Sequence, residues 1–133
     1  MPAGSNITIK KNDGVTDIQW TFVTPSSGDR SAAVWQSQTV GSALAHRPTF
    51  SLTARDNGPG TGRRFDWRMH YPQIATNTTT GVTSVVQKAV ADGSFLIPKD
   101  MATTDTYEAI SQCFHLLATT LMKDHFKSGY SAT

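Results

Sequence analysis

The chain has 133 residues, 38% apolar and 17% charged, with a net charge of +2 and a single cysteine. That length suits one domain, and the balance excludes a disordered polyelectrolyte. No apolar run approaches the roughly 20 residues that cross a bilayer, and one cysteine can form neither an internal disulfide nor a Cys-rich zinc site.

Met1-Pro2-Ala3-Gly4-Ser5-Asn6 has no basic start and no apolar stretch, so no secretory signal is expected, in keeping with a reducing cytoplasm. Ile7-Thr8-Ile9-Lys10 alternates with period two, and Asn12-Asp13-Gly14 follows as a hairpin turn. Asp17 to Val23 alternates again, placing Ile18, Trp20 and Phe22 on one face. Pro25 to Asp29 breaks the pattern. Ala32 to Thr39, with Val34 and Trp35, is a weaker third strand. From Arg47 to Arg55, Pro48, Phe50, Leu52 and Ala54 alternate with Arg47, Thr49, Ser51, Thr53 and Arg55. From Arg64 to Tyr71, Phe65, Trp67, Met69 and Tyr71 alternate with Arg64, Asp66, Arg68 and His70.

Between these two strands, Asp56-Asn57-Gly58-Pro59-Gly60-Thr61-Gly62 reads as a loop joining antiparallel neighbours. It lacks the Gly-Lys-Ser/Thr ending of a phosphate cradle and opens no helix. Pairing the strands gives one apolar face and one face rich in Arg, Thr and Ser. Residues 47–70 carry five Arg against Asp56 and Asp66, a net +3, so the rest of the chain sums to −1. Arginine is suited to phosphate and base edges because its planar fork donates bidentately. The polar face is therefore the leading candidate for binding RNA.

Asn77 to Gly81 is a Thr-rich loop, and Val82 to Ile97 supplies one or two strands with Asp92-Gly93 a bend or bulge. After Pro98 the period changes. Asp105 and Glu108 have capping-box spacing. Ile110, Cys113, Phe114, Leu117, Leu121 and Met122 then form a helical stripe with no Pro or Gly before Gly129, which leaves open one helix from 105 to about 127 or two shorter ones. Cys113 lies on this stripe as packing.

The expected class is α+β: an N-terminal hairpin and antiparallel meander of about five to seven strands over 6–98, then a helical region over 99–133, in a single domain. One helix is narrow cover for so wide an apolar face. A second copy, its sheet joined edge to edge and its helices crossing the shared face, resolves this and removes exposed edges. A small nuclease built on Asp66, Arg68 and His70 is the enzymatic alternative, and an RNA-binding dimer is another. No cofactor, metal or membrane partner is expected.

The run Arg47-Pro48-Thr49-Phe50-Ser51-Leu52-Thr53, the run Arg63 to Pro72, Thr80-Gly81-Val82, Phe95-Leu96-Ile97-Pro98-Lys99-Asp100 and Ser128-Gly129-Tyr130 together resemble coat proteins of single-stranded RNA bacteriophages, the levivirus type. The likeness spans nearly the whole chain and rests on order and pattern. It implies a non-enzymatic virion protein, assembled in the bacterial cytoplasm, whose homodimers build an icosahedral shell around single-stranded genomic RNA. Better-known members also grip an RNA hairpin to repress translation. Carried over by position, Thr49 and Ser51 stand where hydroxyls hold an unpaired adenine, and Arg68 where a basic residue meets phosphate. Asp66 replaces a second hydroxyl, while Arg47 and Arg64 fit neighbouring basic positions; Thr53 joins the expected RNA-binding residues through its place on the same alternating face. Val90 and Asp92 replace an aromatic and an Asn, which removes a stacking ring and adds charge that repels phosphate. The loop Asn77, Thr78, Thr79, Thr80 and Gly81 corresponds to one that meets neighbouring dimers. It has no cysteine for the disulfide rings of some relatives.

Overall fold

A computed structural model describes residues 2–38 and 43–131. Six strands form one antiparallel sheet in chain order: β1 (Ile7–Lys10), β2 (Asp17–Thr24), β3 (Ala32–Gln36), β4 (Thr49–Asp56), β5 (Gly62–Thr76) and β6 (Thr83–Pro98). A short 3-10 turn at Leu44–His46 precedes β4. Two helices follow, α1 (Thr103–Leu117) and α2 (Thr120–Ser128). The chain divides into a sheet unit ending at Leu96 and a helical unit beginning at Ile97. Among the described residues, no helix is long and apolar enough to cross a membrane.

The expected β1 has the observed bounds; β3 ends at Gln36, so Ser37 and Gln38 fall outside the strand, and Thr39 lies outside the described residues. The one or two strands expected over Val82 to Ile97 are one, Thr83–Pro98. Strand β5 passes beyond Tyr71 and carries the buried Pro72 within it. Its ladder with β4 ends at Thr49 opposite His70, so the missing Pro72 N–H costs no bond to β4.

The β1–β2 turn is organised by Asp13, whose carboxylate accepts from the backbone N–H groups of Val15 and Thr16 and from the Thr16 hydroxyl. Those bonds, led by the Thr16 hydroxyl, hold its pKa at about 2, below the ordinary 3.8. A lowered folded-state pKa stabilises above the unfolded value and is lost as pH falls through the folded one. Asp13→Asn is therefore expected to lower the denaturation midpoint at neutral pH. The gap to wild type should shrink as pH falls from about 4 toward 2.

Phe22, Trp35, Phe50 and Trp67 form a continuous ring row across one face, with successive centroids 5.2, 6.0 and 6.5 Å apart. Register creates the row: Phe22 opposes Trp35, Trp35 opposes Phe50, and Trp67 opposes Leu52 beside it. The N-terminal segment adds a strap not legible from alternation. Trp35 Nε1 donates to the Ser5 carbonyl at 2.9 Å, and the Phe22 N–H donates to Asn6 Oδ1 at 2.9 Å. Even so, the described residues bury few apolar side chains: Trp20, 8% exposed, and the prolines Pro48 and Pro72.

At the other end of the row, Gly93 on β6 lies under Trp67. A Cβ there would sit 2.4 Å from the Trp67 ring, too close without displacing it. Gly93→Val is expected to cost roughly 1–3 kcal/mol by overpacking, read as a lower urea midpoint and altered tryptophan fluorescence.

Of the one long or two short helices that the sequence leaves open, the chain forms two. Ala118 ends α1, and Thr119 takes an extended conformation before α2. Both the N–H and the hydroxyl of Thr119 donate to the Leu116 carbonyl, the hydroxyl at 2.7 Å. A threonine side chain that competes for backbone bonds interrupts a helix without Gly or Pro. The capping box is also absent: α1 starts at Thr103 with Ala102 as its cap. Asp105 therefore falls in the first turn, where its charge suits the helix dipole. Glu108 accepts from Gln112 instead. Neither helix contains a buried residue; Cys113 is half-buried, while Leu121 and Phe126 are 62% and 76% exposed.

Candidate RNA-binding face

Opposite the ring row, side chains of alternate residues form a polar ladder. Thr49 faces His70, Ser51 faces Arg68, Thr53 faces Asp66 and Arg55 faces Arg64. The register thus brings together Thr49, Ser51, Thr53, Arg64, Asp66 and Arg68 of the expected site. Arg47 lies just before β4, where it closes the 3-10 turn. It lines a separate groove with Thr49, His70 and Lys88.

Two arginines directly across a ladder repel. Asp66, one pair further along, resolves this conflict. Its Oδ2 accepts from Arg55 Nε at 3.1 Å and its Oδ1 from Arg64 Nε at 3.1 Å. Burial works to raise the Asp66 pKa, but these two bonds and charges outweigh it and keep the group below the usual carboxylate range. Asp66 is therefore an ionised clamp on both guanidinium groups.

Strand β6 contributes the third wall. Arg68 lies 3.6 Å from an Asp92 carboxylate oxygen, and Arg64 Nη2 donates to Ser94 Oγ at 3.4 Å. Ser51, Thr53, Arg64, Asp66 and Arg68 line an open groove of about 540 Å³ with Asp92 and Ser94. Ser94 and Lys88 were absent from the expected site, and Arg55, expected on the polar face, joins the groove beside Asp66. Lys88, Asp92 and Ser94 share one alternation phase of β6, but only pairing with β5 reveals which face that phase occupies.

Arg63 leaves the face altogether. At the hairpin end it holds Asp29 through both terminal nitrogens, at 2.8 and 2.9 Å, and Asp56 at 3.0 Å. The neighbouring loop is a hairpin turn closed by Asn57, which bonds Gly62 and Thr61.

The geometry does not suit acid–base catalysis by Asp66 and His70. They stand four strand steps, roughly 13 Å, apart, and both Asp66 oxygens are engaged by arginine. The loop after β5 is an ordered turn. Asn77 Oδ1 accepts from the Thr79 and Thr80 N–H groups, and Gly81 takes φ 70°, which favours glycine. All of Asn77 to Gly81 is exposed.

The sequence profile of the family described as levivirus coat protein matches residues 2–129. The fold is similar to that in a virus-like particle of Beihai levi-like virus 21, with a TM-score of 0.82, 16% identity and 99% of each chain covered. The virus-like particle of bacteriophage NT-214 gives 0.81 at 12% identity, covering 99% of this chain and 100% of that one. The capsid protein of bacteriophage GA gives 0.75 at 17% identity, covering 96% and 95%. At these identities the structures establish a shared fold. No curated protein matches the chain.

Proposed function

Because this chain belongs to the levivirus coat protein family, and so is a structural protein of a viral capsid rather than an enzyme, we propose how it works: two copies form a homodimer, dimers close into an icosahedral shell, and the polar sheet face meets single-stranded RNA inside. The observation that carries this reading is the opposition of the two sheet faces. One bears a half-covered row of four rings, the other a ladder of arginines and hydroxyls.

The rings call for a cover, and exposed Phe114, Leu117, Leu121 and Phe126 offer one. In a dimer, helices from each copy lie over the partner's rings. Completing burial contributes roughly 1 kcal/mol for each half-covered side chain. Summed over both copies, that gain is comparable to the roughly 4–15 kcal/mol that association costs. Repeated weak contacts between dimers, with the turn Asn77–Gly81 at the junctions, then make shell closure cooperative.

RNA neutralises the opposite face. Arg47, Arg64 and Arg68, with Thr49, Ser51 and Thr53, meet phosphates and unpaired bases, while Asp66 keeps neighbouring guanidinium groups in place. Genome contact, rather than repression through a hairpin, is the role this face favours. Exposed Val90 offers no ring for stacking, and Asp92 places a negative charge beside Arg68.

Expression of the chain alone, followed by size exclusion, electron microscopy and the 260/280 nm absorbance ratio, tests this proposal. Uniform particles with a nucleic-acid absorbance are expected. A free subunit or dimer with a protein-like ratio under all assembly conditions would overturn it.

A further inference from the structure

The geometry points to the groove between β4, β5 and β6 as a site for an unpaired guanine of single-stranded RNA, read on its Watson–Crick edge by Asp66. This inference deepens the proposed RNA role and rests on it. A carboxylate offers about four acceptor positions. The hydrogen bonds from Arg55 and Arg64 use two of them and fix the group in place. Asp66 lines the open groove, and the guanine would take the acceptor positions that the arginines leave.

Base chemistry then selects the occupant. Guanine alone presents two adjacent donors, N1–H and the 2-amino group, that match both oxygens of a carboxylate. Adenine and cytosine pair their amino group with a ring nitrogen lone pair, which the carboxylate repels. Uracil sets its single N–H between two carbonyls. Guanine also carries acceptors at O6 and N7, the usual targets of arginine. Arg68 sits opposite Ser51, one ladder step from Asp66, and its 3.6 Å approach to Asp92 is longer than a good hydrogen bond. Its guanidinium is placed to turn toward those acceptors. Ser51 and Thr53 supply hydroxyls for ribose or phosphate, and 540 Å³ is within the size range of small-molecule sites.

The ligand need not be a paired or folded element. Asp66 instead gives this RNA face a base preference that neutral hydroxyls at its position would not impose. An acceptor-only carboxylate in a cationic groove weakens phosphate binding overall, while favouring one base.

Short oligouridylates carrying one central guanosine, adenosine, cytidine or inosine test the site by fluorescence anisotropy with assembly-competent protein. Guanosine is expected to bind about tenfold tighter than adenosine or cytidine, with inosine between because it lacks the 2-amino donor. In Asp66→Ala all affinities should rise with the loss of a negative charge, but the guanosine preference should fall to about twofold or less. Equal binding of all oligomers by the wild type, or an undiminished guanosine preference in Asp66→Ala, overturns the guanine site while leaving salt-dependent RNA binding intact. Absence of salt-dependent binding to any oligomer overturns the RNA reading itself, and the site with it. If Asp66→Ala fails to fold, the inosine and adenosine series on the wild type still decides. Free GMP is the other source of this base. Binding of GMP as tight as that of the guanosine oligomer would assign the groove to a nucleotide and overturn the RNA site.

Discussion

Trp67→Ala is expected to abolish the proposed dimer and, with it, the particle. Trp67 ends the ring row, packs against Phe50 and lies over Gly93. Truncating a covered tryptophan costs roughly 3–5 kcal/mol, and a symmetric dimer loses it twice. Much of a small domain's stability, about 5–15 kcal/mol, would go. Size exclusion across a concentration series and urea denaturation measure the effect. The variant should dissociate at concentrations where the wild type remains paired, with a lower midpoint. Val15→Ser, in the exposed β1–β2 turn, is the matched control and should change stability by about 0.5 kcal/mol or less. A Trp67→Ala protein as stable and as associated as that control would mean that no partner covers the rings.

The opposite result is expected on the other face. Arg64→Ala combined with Arg68→Ala removes two cations from the polar ladder without touching the ring row. RNA affinity should fall roughly tenfold to a hundredfold at physiological salt, given the strength of charged hydrogen bonds. The slope of log affinity against log salt should flatten by about 1.4, since each lost phosphate contact on a single strand removes about 0.7. Dimer stability should stay near wild type, because exposed charge pairs contribute little to it. Filter binding at several salt concentrations, beside a denaturation curve, separates the two effects. Unfolding with undiminished affinity in the remaining dimer would mean that these arginines face the subunit contact instead.

The strands were legible because alternation and turn residues agree along most of the sheet unit. Ile7 to Lys10 and Asp17 to Val23 follow their pattern into β1 and most of β2. Phe65, Trp67 and Met69 occupy the ring face, while Arg64, Asp66 and Arg68 occupy the other, as side-chain alternation dictates. What alternation along one strand cannot supply is the partner across the ladder. Asp66 reads in isolation as an intrusion on a basic face. Only the register that sets Arg55 against Arg64 shows why an anion belongs there. The helix break had a different cause. Thr119 carries an ordinary helical residue's place in the pattern, yet its hydroxyl bonds Leu116 and its backbone turns extended. The Ser5–Trp35 and Asn6–Phe22 bonds join residues distant in sequence, so no local periodicity announces them.

A reconstruction of the particle formed by this chain tests most directly which way the sheet faces. Helices of one subunit are expected over Phe22, Trp35, Phe50 and Trp67 of its partner, with Arg64 and Arg68 lining the interior against RNA density. Rings turned toward RNA or bulk solvent, with Arg68 beneath a helix, would contradict the assignment of both faces at once.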